Sequence, residues 1–169
     1  MVAYMNEGDP VGATLAGIGF IPLLGDAIKW IGKGVRRLLR ASDLPGEYVD
    51  VVRAENGMQY QSQITGQKWT QIAGRRAGTI REYLLDGSHF DGVEGSVLLD
   101  AKDWARRPLG NQKVVDGIVA QASKQSRIAE KYGTRVEWRV SSQTQADATR
   151  QILEDAGITN VSVVWVPKA

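Results

Sequence analysis

The sequence contains no cysteine, which removes disulfides, thiolate nucleophiles and zinc sites built on thiolate ligands. A chain without thiols also suits a protein that crosses compartments of different redox poise. Its single histidine, His89, leaves little room for a Ser-His-Asp triad or a histidine-rich metal site. Long hydrophobic runs are missing as well. The apolar stretch from Val11 to Gly25 is interrupted by Pro22 and stops at Asp26, short of the ~20 residues a spanning helix needs, so no stable membrane insertion is expected. No basic segment precedes a cleavable apolar run, and no classical secretory signal is read in the chain. Nor is there a strong excess of either charge: a formal net charge of +2 does not by itself announce a nucleic-acid-binding protein.

What is present is enough for a packed domain. Hydrophobic residues make up 43% of the 169, so a core can form, and the length fits one domain with an appendage. The charge is unevenly spread. Residues 101–139 hold nine Lys or Arg against four Asp or Glu, whereas residues 83–100 hold four acids and no Lys or Arg. An acidic pocket beside a basic surface suits a metal ion and a polyanion together, although basic residues on helices also serve as plain solvated faces.

Residues 1–45 read as a separate N-terminal helical segment. Ile28, Ile31, Val35 and Leu38 recur at helical spacing, with Lys29, Lys33, Arg36 and Arg40 on another face. Such a basic amphipathic helix can dock on the following domain, lie on a membrane surface or contact phosphate; docking is the favoured reading. Ser42 to Gly46, with Pro45, marks the boundary. Glu47 to Thr65 is expected to be helical, with Tyr48, Val51, Val52 and Met58 on one face and Glu55 among them; Gly57 weakens that helix by about 1 kcal/mol relative to Ala. A carboxylate such as Glu55 on an apolar stripe is costly unless paired or ligating. Three short strands follow, Ile80 to Leu85, His89 to Val93 and Ser96 to Lys102, close enough to form an antiparallel meander. Gln112 to Lys131 is a helix with Val114, Ile118, Ile128 and Ala129 on its apolar arc. Gln121 and Gln125 lie inside that arc, and Lys113, Lys124, Arg127 and Lys131 lie opposite. Thr134 to Val140 alternates as a half-buried strand, Thr144 to Ala156 is a helix closed by Gly157, and Val161 to Val166 is a last buried strand.

The expected fold is therefore α/β: helix, three-strand meander, helix, strand, helix, strand, over residues 46–169. Within it, Asp100 ends the apolar run Val97-Leu98-Leu99, and Lys102 lies two residues on. Side chains two apart on a strand point the same way, so Asp100 and Lys102 project together. Asp91 sits on the neighbouring strand. Two carboxylates can hold a hard cation that polarises a phosphoryl oxygen and activates water, and a lysine on the same face can meet the developing charge. Gln121 either orients water or phosphate there, or is a satisfied buried amide. His89 reads as a strand-end residue.

This arrangement resembles the PD-(D/E)xK nuclease superfamily, with Phe90-Asp91 in the place of "PD" and Asp100-Ala101-Lys102 as "DxK". More narrowly, Tyr60-Gln61-Ser62-Gln63-Ile64-Thr65-Gly66, Glu82-Tyr83, Phe90-Asp91-Gly92 and Leu98-Leu99-Asp100-Ala101-Lys102 are similar to restriction-endonuclease-fold toxin domains of bacterial polymorphic toxins, over about residues 55–168. Residues 19–26 resemble the pre-toxin stretch that often precedes such domains. The resemblance implies a restriction-endonuclease-like core and a nuclease, with DNA favoured over RNA as substrate. It also implies a secreted antibacterial effector acting in the cytoplasm of a target bacterium, and a cognate immunity protein whose acidic face could block the cleft. By the same resemblance Asp91 and Asp100 ligate Mg²⁺ or Mn²⁺ with the Ala101 carbonyl, Lys102 positions water or stabilises the transition state, and Gln121 backs the site. Glu55 is a further metal ligand from the first helix, and Gln61 is a catalytic-motif residue. Phe90 replaces the usual proline, and Asp100 stands where many relatives carry Glu. Two rival readings are a catalytically silent nucleic-acid-binding domain and a membrane-perturbing toxin using residues 13–40.

Overall fold

The computed structural model describes residues 44–104 and 109–169. The expected N-terminal segment up to residue 43, its basic helix and pre-toxin-like stretch, and Arg106 and Arg107 lie outside the described residues.

The described chain is a mixed α/β fold of three helices and two sheets. Strand β1 (Glu47–Ala54) runs directly into helix α1 (Glu55–Thr65). After it come β2 (Trp69–Gln71), β3 (Ala77–Leu85), β4 (Ser88–Phe90), β5 (Gly92–Glu94) and β6 (Val97–Lys102). Helix α2 (Gln112–Tyr132), β7 (Arg135–Val140), helix α3 (Gln143–Asp155) and β8 (Val161–Trp165) complete it. In the first sheet β3 is central: β1 pairs antiparallel along one edge, and β2 and β4 share the other. The second sheet has the order β5-β6-β7-β8, with β5 antiparallel to β6 and the last three strands parallel. Parallel neighbours need long crossovers, which α2 and α3 provide.

The helix expected from Glu47 to Thr65 is half strand. Glu47–Ala54, rich in β-branched Val49, Val51 and Val52, pairs residue for residue with β3, so Tyr48, Val51 and Val52 share no helix face with Met58. Helix α1 starts only after Ala54, whose backbone is extended, and ends at Gly66, whose φ of 69° closes the last turn through its N–H to the Ser62 carbonyl. Met58 lies against β3 at Gly78, where an added Cβ would stand 2.7 Å from its Cε and 2.6 Å from the Thr70 carbonyl; glycine is what lets the helix and β2 approach there. The three-strand meander is present, but its middle strand is broken: Ser88–Phe90 pairs with β3 and Gly92–Glu94 with β6. Asp86 and Gly87 both have positive φ, as a two-residue hairpin turn with right-handed twist requires.

Along β6, Leu98, Asp100 and Lys102 face the same side as Val136, Trp138 and Val140 of β7 and Val161 and Val163 of β8. This side carries α2 and α3 and holds the main core, with Ile118, Ala122, Ala129, Ala146 and Leu153. The other side meets α1, where Arg139 donates to the Ile64 carbonyl and the Tyr60 hydroxyl to the Val166 carbonyl at 2.7 Å. The last strand is less buried than expected: it is the sheet edge, and Val164 and Trp165 are 38% and 43% exposed. Among the described residues no helix is long and apolar enough to cross a membrane.

Leu44, which the sequence placed in the N-terminal segment, belongs to this core. The Tyr83 hydroxyl ties it down, donating to the Leu44 carbonyl and accepting from the Gly46 N–H, each at 2.9 Å. Leu44→Ala is expected to lower the unfolding free energy by about 2–5 kcal/mol, as Leu98→Ala would. Val52→Thr, at a position 59% exposed, should stay within about 0.5 kcal/mol of wild type. Urea denaturation measures all three.

Candidate active site

The site begins where β5 stops. β5 covers β6 only as far as Leu99, opposite Gly92. One residue back, the Asp91 N–H donates to the Leu99 carbonyl at 2.8 Å, and the chain then turns away into β4 and the first sheet. The next β6 donor on that edge, the Ala101 N–H, has no strand opposite; it donates to Asp91 Oδ2 at 2.5 Å. A side chain thus takes the place of a backbone partner, and the same bond fixes the carboxylate. Asp91 is therefore at the joint between two strands, in neither of them.

Asp100 and Lys102 share a face as their spacing predicts and form an ion pair, Lys102 Nζ to Asp100 Oδ1 at 2.6 Å. Both are largely buried, with side-chain exposures of 8% and 10%. The Lys102 ammonium also lies 4.9 Å from the ring centre of Trp138 and 5.6 Å from that of Trp104. Asp100 Oδ2 accepts from Gln121 Nε2 at 3.0 Å and from Gln125 Nε2 at 2.7 Å. The two glutamines one turn apart on α2 thus hold one carboxylate oxygen. Gln121 is at the exposed rim, whereas Gln125 is 3% exposed. Its carbonyl oxygen accepts from the Trp138 indole N–H at 2.6 Å, which fixes which end of the amide faces Asp100.

A cavity of about 370 Å³ joins these residues to β1, α1 and β3; its lining includes Arg53, Ala54, Gly57, Gln61, Glu82, His89 and Gln121 beside Asp91 and the 100–102 segment. Glu82, 1% exposed, is bound by Arg53 through Nε at 2.8 Å and Nη2 at 2.6 Å. Gln61 Nε2 approaches Glu82 Oε1 to 3.3 Å, and His89 Nδ1 lies 3.3 Å from Oε2. Of the residues singled out by sequence, Asp91, Asp100, Lys102, Gln121 and Gln61 are brought together. Glu55 opens α1 and is not among the residues that line the cavity. Its stripe dissolved when β1 replaced the first turns of the expected helix. His89, read as a mere strand end, lines the cavity.

Sequence reasoning missed Arg53 and the Gln125–Trp138 contact, and gave Glu82 a place in the resemblance but no role in the site. For Glu82 the signal was there. It stands two residues from Ile80 and two from Leu84, on one strand face, and a carboxylate in such a row must be paired. The basic face of α2 is partly committed elsewhere. Lys131 pairs with Asp86 at 2.6 Å and Lys124 donates to the Gly87 carbonyl at 3.2 Å, so both clamp the β3–β4 turn.

Three carboxylates and two fixed cations share the cavity. Burial pushes the Asp91 carboxyl well above the usual range, the Asp100 charge and more weakly that of Glu82 add to this, and the Ala101 N–H and Lys102 oppose it. Among the described residues no group of three or more His, Asp or Glu stands ready to hold a metal ion by side chains alone. No protein-family model matches the chain, and no curated protein matches it.

Two outcomes follow from this geometry. A carboxyl whose folded pKa lies above its unfolded one holds more protons when folded, so stability falls as pH rises from the ordinary carboxylate range through the folded pKa. In chelator, Asp91→Asn should therefore melt above wild type at pH 7–8, with the gap closing as pH falls; an equal gap at pH 4 would contradict the burial of that charge. At Gly57 an added Cβ meets nothing within 4 Å. Gly57→Ala should raise helix stability by about 1 kcal/mol. Gly57→Leu should remain folded by circular dichroism while its side chain intrudes on the cavity and suppresses whatever the site does.

Proposed function

We propose that this chain is a metal-dependent phosphodiesterase acting on nucleic acid, with DNA the favoured substrate, built on a restriction-endonuclease-like core. The observation that carries the reading is the pairing of Asp100 with Lys102 on one face of β6, at 2.6 Å, next to the Asp91 carboxylate on the Ala101 amide. The α/β order of elements around it, α1, β3 to β6, α2, β7, α3 and β8, supports the reading.

The donor set fits a hard divalent cation. Asp91 and Asp100 offer carboxylate oxygens and Ala101 a main-chain carbonyl, and Mg²⁺ commonly takes one or two carboxylates and keeps several waters. Burial, and then the Asp100 charge, make the Asp91 carboxylate costly to ionise, a cost that a bound cation would offset. When bound, Mg²⁺ or Mn²⁺ would supply Lewis-acid polarisation of the phosphoryl oxygen and a more acidic water. The protein's own groups do the rest. Lys102 places a positive charge against the charge developing on phosphorus-bound oxygen. Gln125, oriented by Trp138, keeps Asp100 pointing at the site, and Gln121 at the rim can release Asp100 to hold water or phosphate. Gln61 steadies Glu82. In this reading the protein is an antibacterial effector delivered into the cytoplasm of a rival cell and neutralised by an immunity protein that covers the cavity.

The test is incubation of the purified protein with plasmid DNA and with bulk RNA, with and without Mg²⁺ or Mn²⁺. Cleavage should require the metal, and Asp100→Ala and Lys102→Ala should each remove it while retaining a cooperative melt. If either variant cleaves within about tenfold of wild type, a barrier change of only about 1.4 kcal/mol, the assignment fails. Salt-sensitive binding without divalent-dependent cleavage would instead identify a silent nucleic-acid-binding domain.

A further inference from the structure

The cavity has a second charged cluster that the proposed hydrolysis does not use. Glu82 is buried at the centre of the first sheet and accepts from Arg53 through two parallel N–H bonds, at 2.8 and 2.6 Å. Its partner is placed very differently: the Arg53 side chain is 45% exposed while that of Glu82 is 1% exposed. The guanidinium thus lies with one edge on the carboxylate and the remainder toward the cavity it lines. Of its five N–H donors, these two bonds take one from Nε and one from Nη2. Nη1 makes no hydrogen bond among the described residues.

A buried ion pair of this kind is weak as a device for stability, since apolar residues of similar volume fill the same space at least as well. It is effective as a device for orientation. Glu82 also accepts from Gln61 Nε2 at 3.3 Å, so the fork of Arg53 is held in place before any ligand arrives. The cavity's other cation, Lys102, is paired with Asp100 at 2.6 Å and has its own place in the proposed hydrolysis. The wall beside Arg53 is cut back: Ala54 and Gly57 line it, and open space lies where a Gly57 side chain would be.

We propose that Arg53, pre-oriented by Glu82, is a phosphate-binding subsite that grips a phosphodiester of the nucleic acid in the cavity. A planar guanidinium with spare donors matches a pair of phosphate oxygens better than a flexible ammonium does. This rests on the nuclease reading for its ligand, and it assigns Arg53 to substrate holding, with Glu82 as the positioning residue behind it.

The test separates substrate contact from fold. Arg53→Ala alone would strand a buried carboxylate, so the informative variants are Arg53→Gln combined with Glu82→Gln, which keeps a neutral hydrogen-bonded pair, and Arg53→Lys, which keeps the charge and loses the fork. Binding of a labelled DNA oligonucleotide is followed by fluorescence anisotropy in chelator over a series of salt concentrations, beside thermal melting. The double variant should melt cooperatively, bind at least tenfold more weakly and lose about 0.7–0.9 from the slope of log affinity against log salt, as removal of one phosphate contact requires. Arg53→Lys should keep the slope and bind several-fold more weakly. A folded double variant with wild-type affinity and slope overturns the subsite, as does Arg53→Lys with wild-type affinity. Because binding is read without metal, a wild-type protein that binds through Arg53 but never cleaves would sink the nuclease reading alone. Normal cleavage with unchanged binding in the double variant would sink the subsite alone.

Discussion

The hydrogen bond from the Ala101 amide to the Asp91 carboxylate is where both sheets and the cavity meet. It forms because β5 covers β6 only as far as Leu99, leaving at Ala101 a donor that cannot be abandoned in a protein interior. Once a side chain satisfies it, the strand is free to bend away at Asp91 and become β4 of the other sheet. The space left along the uncovered end of β6 is the cavity, and its charge follows from the same event. Asp91 is drawn in beside Asp100, whose charge adds to burial in making the Asp91 carboxyl harder to ionise. Lys102, Gln121 and Gln125 on one side, and Arg53 on the other, are the groups through which the fold tolerates that concentration of negative charge.

Much of this was legible in the sequence, and the reasons differ by element. The alternation at Val136, Trp138 and Val140 and the long amphipathic pattern of α2 are strong signals, and both elements fall where they were expected. Asp100 and Lys102 share a face because the strand period leaves them no choice. Residues 47–54 were misread because valines at 51 and 52 with a tyrosine at 48 satisfy a helical stripe as well as a strand. Pairing with β3, some thirty residues on, decides between them, and no local pattern contains that partner. The error carried over to the site. The argument that a carboxylate in an apolar row must be paired was sound, but it was applied to Glu55 on a helix face that does not exist. Glu82, on a strand face that does, is the buried one.

Gln125 illustrates a different limit. Its place on the apolar arc of α2 was visible, but its use depends on an indole N–H from β7, because only that contact fixes which end of the amide meets Asp100. Sequence can place a polar residue in a core; the identity of its partners is a tertiary fact. The same holds for the basic face of α2. Lys124 and Lys131 look alike with Lys113 and Arg127 along the chain, yet they are tied to the Asp86–Gly87 turn.

The residues that line the cavity come from β1, α1, β3, the β4–β5 joint, β6 and α2, spanning Arg53 to Gln121. No hairpin or single βαβ unit contains both Arg53 and Asp100, and Trp138, which orients Gln125, lies farther along the chain again. The arrangement of this site is therefore a property of the whole domain and of no fragment. A chain still emerging from synthesis, or threaded in extended form through a narrow passage, presents its carboxylates and lysine as scattered solvated side chains. Those side chains come together only when β7, which carries Trp138, is paired beside β6.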